Sequence, residues 1–348
     1  MVASKIVGKE GQTAYSSASN VSEKAKTVSD NSFFLSRLHS LTGIFLALFL
    51  FEHLLTNSQA ALWLGDDGIG FVEMVNWIHS LPYLKVIEVT LLAVPFAIHM
   101  WWGVIYLRQG SDSAKLSHAK MHKPRLLFAR NFGYSWQRFT AWLLLFGVVG
   151  HILHMRILSH PLDLGTHQYG LRVEMDQGLY TLSARFNMQI YTLEKIQEEL
   201  DTVAQKKEQA QVPSAEVNAL VYDASLAQEL AYEQSLQITR EKLHRLASLL
   251  TTANPSTVIL ATPDFGTAAL MLVREAFKSQ TICWLYTFYV LAAVFHACNG
   301  LWTAGIVWGW TPSDRGQKIS MLITRILMVK LAILGICAIW LTNFNLQS

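Results

Sequence analysis

The sequence predicts an all-α membrane protein: a five-transmembrane-helix bundle with an external helical-hairpin insertion between the third and fourth spans. Three observations predict it. Of 348 residues, 51% are hydrophobic and only 15% charged, against about a quarter charged in ordinary soluble domains, and the mean hydropathy is +0.27. The apolar residues gather into five runs long enough for a bilayer, which takes about 20 helical residues. A more polar segment of about 120 residues separates the third run from the fourth, far longer than an ordinary connection.

The first thirty residues are polar, rich in Ser and Lys, and lack the apolar core of a secretory signal. Residues 1–32 therefore read as a mobile cytoplasmic extension. The spans run approximately from Phe33 to Thr56, Leu81 to Leu107, Trp136 to Leu158, Thr281 to Trp310 and Ile319 to Leu341. Residues 33–158 thus hold the first three and 281–348 the last two. Lys and Arg near span ends stay on the cytoplasmic side. The link from Arg108 to Arg138 carries Arg108, Lys115, Lys120, Lys123, Arg125, Arg130 and Arg138 against the single acid Asp112, whereas the link from Asn57 to Ser80 carries Asp66, Asp67 and Glu73 and no Lys or Arg. That asymmetry predicts a multi-pass membrane protein with its N-terminus inside and its C-terminus outside.

Residues 159–280 then form the external insertion. Leu193, Ile196, Leu200 and Val203 repeat at helical spacing, Pro213 breaks the pattern, and a second run from about Ala215 to Leu250 places Leu220, Ala224, Ala227, Leu236, Leu243, Leu246 and Leu250 at apolar positions. This spacing predicts a helical hairpin turning near Gln209 to Ser214. The alternative is a loosely folded insertion without a function of its own.

Composition also excludes function classes. A net charge of +3 is too small for nucleic-acid binding. Cys283, Cys298 and Cys337 lie in apolar runs with no CxxC or CxxH spacing, which argues against a disulfide scaffold and against thiolate-held zinc or iron–sulfur clusters.

The informative residues are histidines inside the spans, because an ionisable side chain in hydrocarbon is costly and usually has a task. His39, His53, His99, His151, His154 and His296 lie there. At 1.5 Å per residue from the cytoplasmic ends, His99 lies about 12 Å deep and His296 about 18 Å, while His53 lies about 30 Å and His151 about 22 Å. Four helices thus supply an inner and an outer pair, the arrangement two b-type haems require: one neutral imidazole on each side of each iron. Zinc fits less well, since no carboxylate or thiolate lies at ligand spacing. A chain of proton-relay histidines is the competing reading. His154 shares a helix face with His151 and is the alternative ligand there.

Ser36-Arg37-Leu38-His39-Ser40-Leu41-Thr42-Gly43 leading to Glu52-His53-Leu54 resembles the first helix of the di-haem cytochrome b subunit of succinate:quinone oxidoreductases. Ile98-His99-Met100-Trp101-Trp102-Gly103-Val104, Gln137-Arg138-Phe139-Thr140 through His151, and Phe295-His296-Ala297-Cys298-Asn299-Gly300-Leu301-Trp302 followed by Trp308-Gly309-Trp310 resemble its next three spans, in order. The resemblance implies that His53, His99, His151 and His296 are axial ligands of the iron of two haem b groups, His99 paired with His296 and His53 with His151. It implies a non-catalytic electron-transfer subunit of a succinate dehydrogenase or fumarate reductase of the single-anchor type, serving the tricarboxylic acid cycle where succinate is oxidised. The partners would be a flavoprotein (FAD) subunit, an iron–sulfur subunit, membrane lipid, and quinone as substrate.

Arg37 and His39 then either snorkel to the headgroups or contact a haem propionate or quinone. Glu73 is either a solvated loop carboxylate or a quinone-site carboxylate. The basic Arg108 to Arg138 link is a plausible docking surface. Other readings of the same spans are the cytochrome b of a formate dehydrogenase or hydrogenase, and a haem-free anchor or transporter. The long insertion departs from the family pattern and is expected to be peripheral.

Overall fold

The computed structural model describes residues 7–61, 68–118, 129–165, 168–210, 219–250 and 256–344, with side chains described outside 7–32, 107–132, 134, 210 and 219–227. Among the described residues five helices are long and apolar enough to cross a membrane: Phe33–Ser58, Leu84–Tyr106, Ser135–Leu158, Gln280–Val307 and Asp314–Phe344. They match the five expected spans to within a few residues. Asp66 and Asp67 of the first link, residues 119–128 of the basic link and the expected hairpin turn at Pro213 lie outside the described residues.

In chain order, α1 (Val7–Ser58) carries the first span and α2 (Ile69–His79) follows it. The second span is α3 (Leu84–Ile87) and α4 (Val94–His118), joined by a π-helical stretch at Glu88–Ala93. Pro95 in the first turn of α4 has no N–H to give to the carbonyl one turn back, and the wider π turns just before it accommodate that loss. The third span, α5 (Ala129–Ile152), also ends in a π-helical stretch, Leu153–Leu158. After the insertion come α10 (Gln280–Val307) and α11 (Asp314–Ile336), the latter continuing through π-helical Cys337–Leu341 into α12 (Thr342–Phe344). Large apolar side chains point outward from these helices: Leu48, Trp101, Phe146, Phe288 and Ile323 are each at least 60% exposed. That suits hydrocarbon as the surrounding medium, where the helices satisfy their own backbone groups.

Contacts divide the chain into two compact units, one of Met1–Glu52, Lys85–Leu145 and Ala292–Leu331, the other of His53–Leu84, Phe146–Leu291 and Ala332–Ser348. The second unit contains the whole insertion. There the structure adds what helical periodicity did not predict: a four-stranded antiparallel sheet of β1 (Leu162–Gly165), β2 (Gln168–Glu174), β3 (Gln189–Tyr191) and β4 (Thr257–Thr262), in the order β1-β2-β4-β3. On one face, α6 (Leu179–Arg185) and α9 (Phe265–Ala276) bury Leu179, Leu182, Leu270 and Met271 against Leu171, Val173, Val258 and Leu260. On the other lie α7 (Leu193–Ala210) and α8 (Ala219–Leu250), which bury Ile196, Val203, Leu236, Leu243 and Leu246 against Ile259 and Ala261. The expected hairpin pair is thus present, but it covers a sheet rather than standing alone. Leu193, at the start of its apolar stripe, is exposed.

α2 is fixed to this domain by a hydrogen-bonded joint. Asp264, the N-cap of α9, accepts from the backbone N–H and hydroxyl of Thr267 (2.8 and 3.0 Å) and from Asn76 Nδ2 (2.8 Å), while Asn76 Oδ1 accepts from the Gly266 N–H (2.8 Å). One side chain thus caps the helix and ties α2 to it.

An ion pair holds the opposite end of α9. Arg274 donates to both oxygens of Asp176, each at 2.6 Å, and Lys278 Nζ lies 3.0 Å away. Burial alone would raise the Asp176 pKa, but hydrogen bonds from Arg274 and Lys278 and their charges outweigh it and hold the carboxyl below its ordinary value. A depressed carboxylate contributes stability that is complete above the ordinary aspartate pKa of about 3.9 and lost as pH falls through the lower folded value. Asp176→Asn should therefore destabilise the insertion by roughly 2 to 4 kcal/mol, because it removes the negative charge and one of the two acceptors facing the buried Arg274. In thermal melts it should also flatten the acid loss of stability below about pH 4; equal acid sensitivity in both proteins would contradict this.

Candidate functional site

In the first unit α4 presents His99 and α10 presents His296, ring centres 6.2 Å apart and planes at 83°. His99 Nδ1 lies 3.1 Å from the His39 carbonyl. A carbonyl only accepts, so Nδ1 carries the proton and Nε2 keeps its lone pair. His296 is held to the same effect by α5. The Thr140 hydroxyl donates to the Trp136 carbonyl (2.8 Å) and lies 3.3 Å from His296 Nδ1, toward which it can only accept. Gln137 Nε2 donates to the His296 carbonyl (3.1 Å) and Gln137 Oε1 accepts from Asn299 Nδ2 (2.8 Å), locking the α5–α10 contact at the level of the ring. Gly43 permits α1 to reach this place: a Cβ there would lie 2.9 Å from His99 Cε1.

In the second unit α1 presents His53 and the last turn of α5 presents His151, ring centres 5.9 Å apart and planes at 82°. Asn57, one turn on, donates to the His53 carbonyl (2.8 Å) and lies 3.4 Å from its Nδ1. His151 is flanked by Tyr289, whose ring stacks at 6.0 Å, and by Tyr286, whose hydroxyl is 3.3 Å from His151 Nδ1. The same hydroxyl lies 3.0 Å from Nδ1 of His154. Gly147, one turn before His151, leaves room for Tyr289, which a Cβ would strike.

These spacings allow a test of fit. Metal–imidazole nitrogen distances of about 2.0 Å, with about 1.1 Å from each nitrogen to its ring centre, put two ring centres about 6 Å apart when one metal lies between them. Both pairs are at that separation, and perpendicular rings can still direct one nitrogen each along a common axis. Among the described residues no group of three or more His, Cys, Asp or Glu side chains is placed to hold a metal ion. Each place brings two histidine rings together, and two imidazoles are what a b-type haem would take from the chain. Two imidazoles at this separation are compatible with a haem, which would be held by His99 and His296 at one place and by His53 and His151 at the other.

The remaining candidates fall elsewhere. His39 stacks flat on His99 at 4.0 Å, too close to share a metal with it, with its edge toward Tyr106 and a buried Nδ1 that has no hydrogen-bond partner among the described residues. Arg37 lies with its guanidinium 3.7 Å over the Phe33 ring and 5.7 Å from that of Trp308, whose indole N–H donates to Ser40 (3.2 Å). Glu73 is exposed on α2. Of the polar supports, Thr42, Gln137, Thr140 and Asn299 stood in the motifs that carry the resemblance without a role assigned to them, while Asn57 and Tyr286 were not singled out in the sequence. Their signal was present: each is a hydrogen-bonding residue within or at the end of an apolar span, where such groups need a partner.

Over 309 residues, 88% of this chain and 96% of the relative, the sequence is 21% identical to the succinate dehydrogenase cytochrome b558 subunit of Bacillus subtilis (strain 168). The match is weak in identity but near full length. It supports the succinate dehydrogenase cytochrome b family and a membrane-anchor role for this chain. No protein-family model matches the chain, and no solved structure does.

Proposed function

We propose that this chain is the cytochrome b anchor of a succinate:quinone oxidoreductase, holding one haem b between His99 and His296 and a second between His53 and His151. The observation that carries the reading is the pair of two-histidine sites with ring centres 6.2 and 5.9 Å apart on four apolar helices. The near-full-length likeness to a succinate dehydrogenase cytochrome b supports it. The partners are then an iron–sulfur subunit and an FAD flavoprotein, docked on the cytoplasmic side against the basic link, and the substrate is a membrane quinone. The N-terminus lies inside and the C-terminus outside.

Haem b, when bound, supplies one-electron redox chemistry; the chain's contribution is to hold it. His99 and His296 each keep the proton on Nδ1, donated to the His39 carbonyl and to the Thr140 hydroxyl, so that both offer Nε2 without reorganisation. Such hydrogen bonds strengthen an imidazole as a donor and tune the potential at its site. Arg37, two residues before His39 and braced by Phe33 and Trp308, offers a cation to a haem propionate or a quinone oxygen, and His39 lines the same place. Glu73, exposed on α2, is a carboxylate that a quinone site on the external side could use.

The reading is tested on the membrane complex by a reduced-minus-oxidised spectrum with haem extraction. Two b-type haems per chain, reduced by succinate, are the expected result. Absence of a b-type band would overturn it, and a band reduced by formate or hydrogen but not by succinate would reassign the complex.

A further inference from the structure

The insertion ends on a corner built against the second histidine site. α9 closes at Phe277, whose carbonyl accepts from the Cys283 thiol (3.3 Å) and from Asn343 Nδ2 (2.7 Å). The Phe277 ring meets Tyr286 edge to face at 5.4 Å and 84°. Tyr286 and Met155 in turn pack on the same hydrophobic core as Leu171, Val173, Leu179 and Leu182 of the insertion. Tyr286 is therefore held by the insertion domain, while its hydroxyl lies among the histidines, 3.3 Å from His151 Nδ1 and 3.0 Å from His154 Nδ1.

Proton counting gives this triad a direction. A phenol has one proton to donate, and a neutral imidazole has one. His151 can offer Nε2 to a metal only with its own proton on Nδ1, which then donates to the Tyr286 oxygen. The Tyr286 hydroxyl must in turn donate to His154 Nδ1, which leaves the His154 proton on Nε2. Reversing the chain would free Nε2 of His154 and block that of His151. The hydroxyl thus separates two histidines that otherwise compete for one position, and the ring facing His53 at 5.9 Å is that of His151.

We propose that Tyr286 is a positioning residue of the second site: its hydroxyl fixes the His151 tautomer, strengthens that imidazole as a donor, and keeps His154 from ligating. The proposal rests on the reading of His53 and His151 as axial ligands. A hydrogen bond that makes the ligand more basic favours the oxidised iron and lowers the potential. Through this bond the insertion domain sets the potential of the second haem.

Tyr286→Phe keeps the ring and its contact with Phe277 and removes only the hydroxyl. In the complete complex, potentiometric titration and electron paramagnetic resonance should show two low-spin haems, with the potential of the second raised. At a fixed ambient potential its reduced-to-oxidised ratio should increase threefold to tenfold, the upper figure corresponding to about 59 mV for one electron. The first haem should not move. His154→Phe should shift the same haem in the same direction by less, because Tyr286 can still accept from His151. If Tyr286→Phe fails to assemble, His154→Phe carries the test alone. An unmoved second potential, or a shift confined to the first haem, overturns the proposal. A wild-type complex without two low-spin haems overturns the ligand reading instead, so the two failures are distinguishable.

Discussion

Alanine at His99 or at His296 is expected to remove the same haem, and alanine at His53 or at His151 the other. Each proposed site pairs two histidines among the described residues, with ring centres 6.2 and 5.9 Å apart. A bis-imidazole iron that loses one ligand loses its low-spin character or the haem itself. Haem content per chain should fall by about half in each variant, and succinate-driven quinone reduction should fall to near background. His39→Ala should keep both haems, since its ring stacks on His99 at 4.0 Å and has no place for a metal between them. His154→Ala should also keep both. Pyridine haemochrome quantification and electron paramagnetic resonance of the four variants settle the grouping. Losses that group His53 with His99, or two intact low-spin haems in His151→Ala, would overturn the assignment.

The two pairs were legible before any coordinates because helix rise is fixed. Counting residues from span ends at 1.5 Å each orders the four as His99, His296, His151 and His53 from the inner side, which groups the inner two and the outer two. What supports the rings was not legible. Thr140 and His296 are 156 residues apart in sequence, and Tyr286 and His151 are 135 apart. Periodicity on one helix does not report which residue of another helix comes alongside. The sheet was hidden for a different reason. β4 is covered on both faces, Val258 and Leu260 by one helical layer and Ile259 and Ala261 by the other. It therefore reads as a continuous apolar run without period-2 alternation, and such a short run does not distinguish strand from helix. β1 and β3, of four and three residues, are too short to show a pattern at all.

That hidden sheet changes what removal of the insertion should do. Read as a free-standing hairpin, residues 186–253 could be replaced by a short Gly/Ser linker with haem content and quinone reduction close to normal. In the structure the same cut removes β3, α7 and α8, and with them the cover over Leu164, Ile259 and Ala261. Uncovering Leu164 and Ile259 costs about 1.5 to 3 kcal/mol each, a large share of the stability of an ordinary domain. The remaining core does not end at the membrane. It runs from Leu171, Val173 and Leu182 through Phe277 and Cys283 to Ile339, with Met155, Tyr286 and Val290 packed against it. Loss of the domain should therefore reach the His53–His151 site and leave the His99–His296 site, which lies in the other unit. The complex carrying the 186–253 replacement should retain the first haem and lose or broaden the second. Replacing only 207–232 keeps Val203 and Leu236, the last and first buried positions among the described residues of α7 and α8 on either side of the cut, and should leave both haems in place. Redox-resolved spectra of the two deletions distinguish the cases. Two normal haems after the long replacement would show that the second site is held by the spans alone, and loss of the second haem after the short one would show that the hairpin tip contributes to it directly.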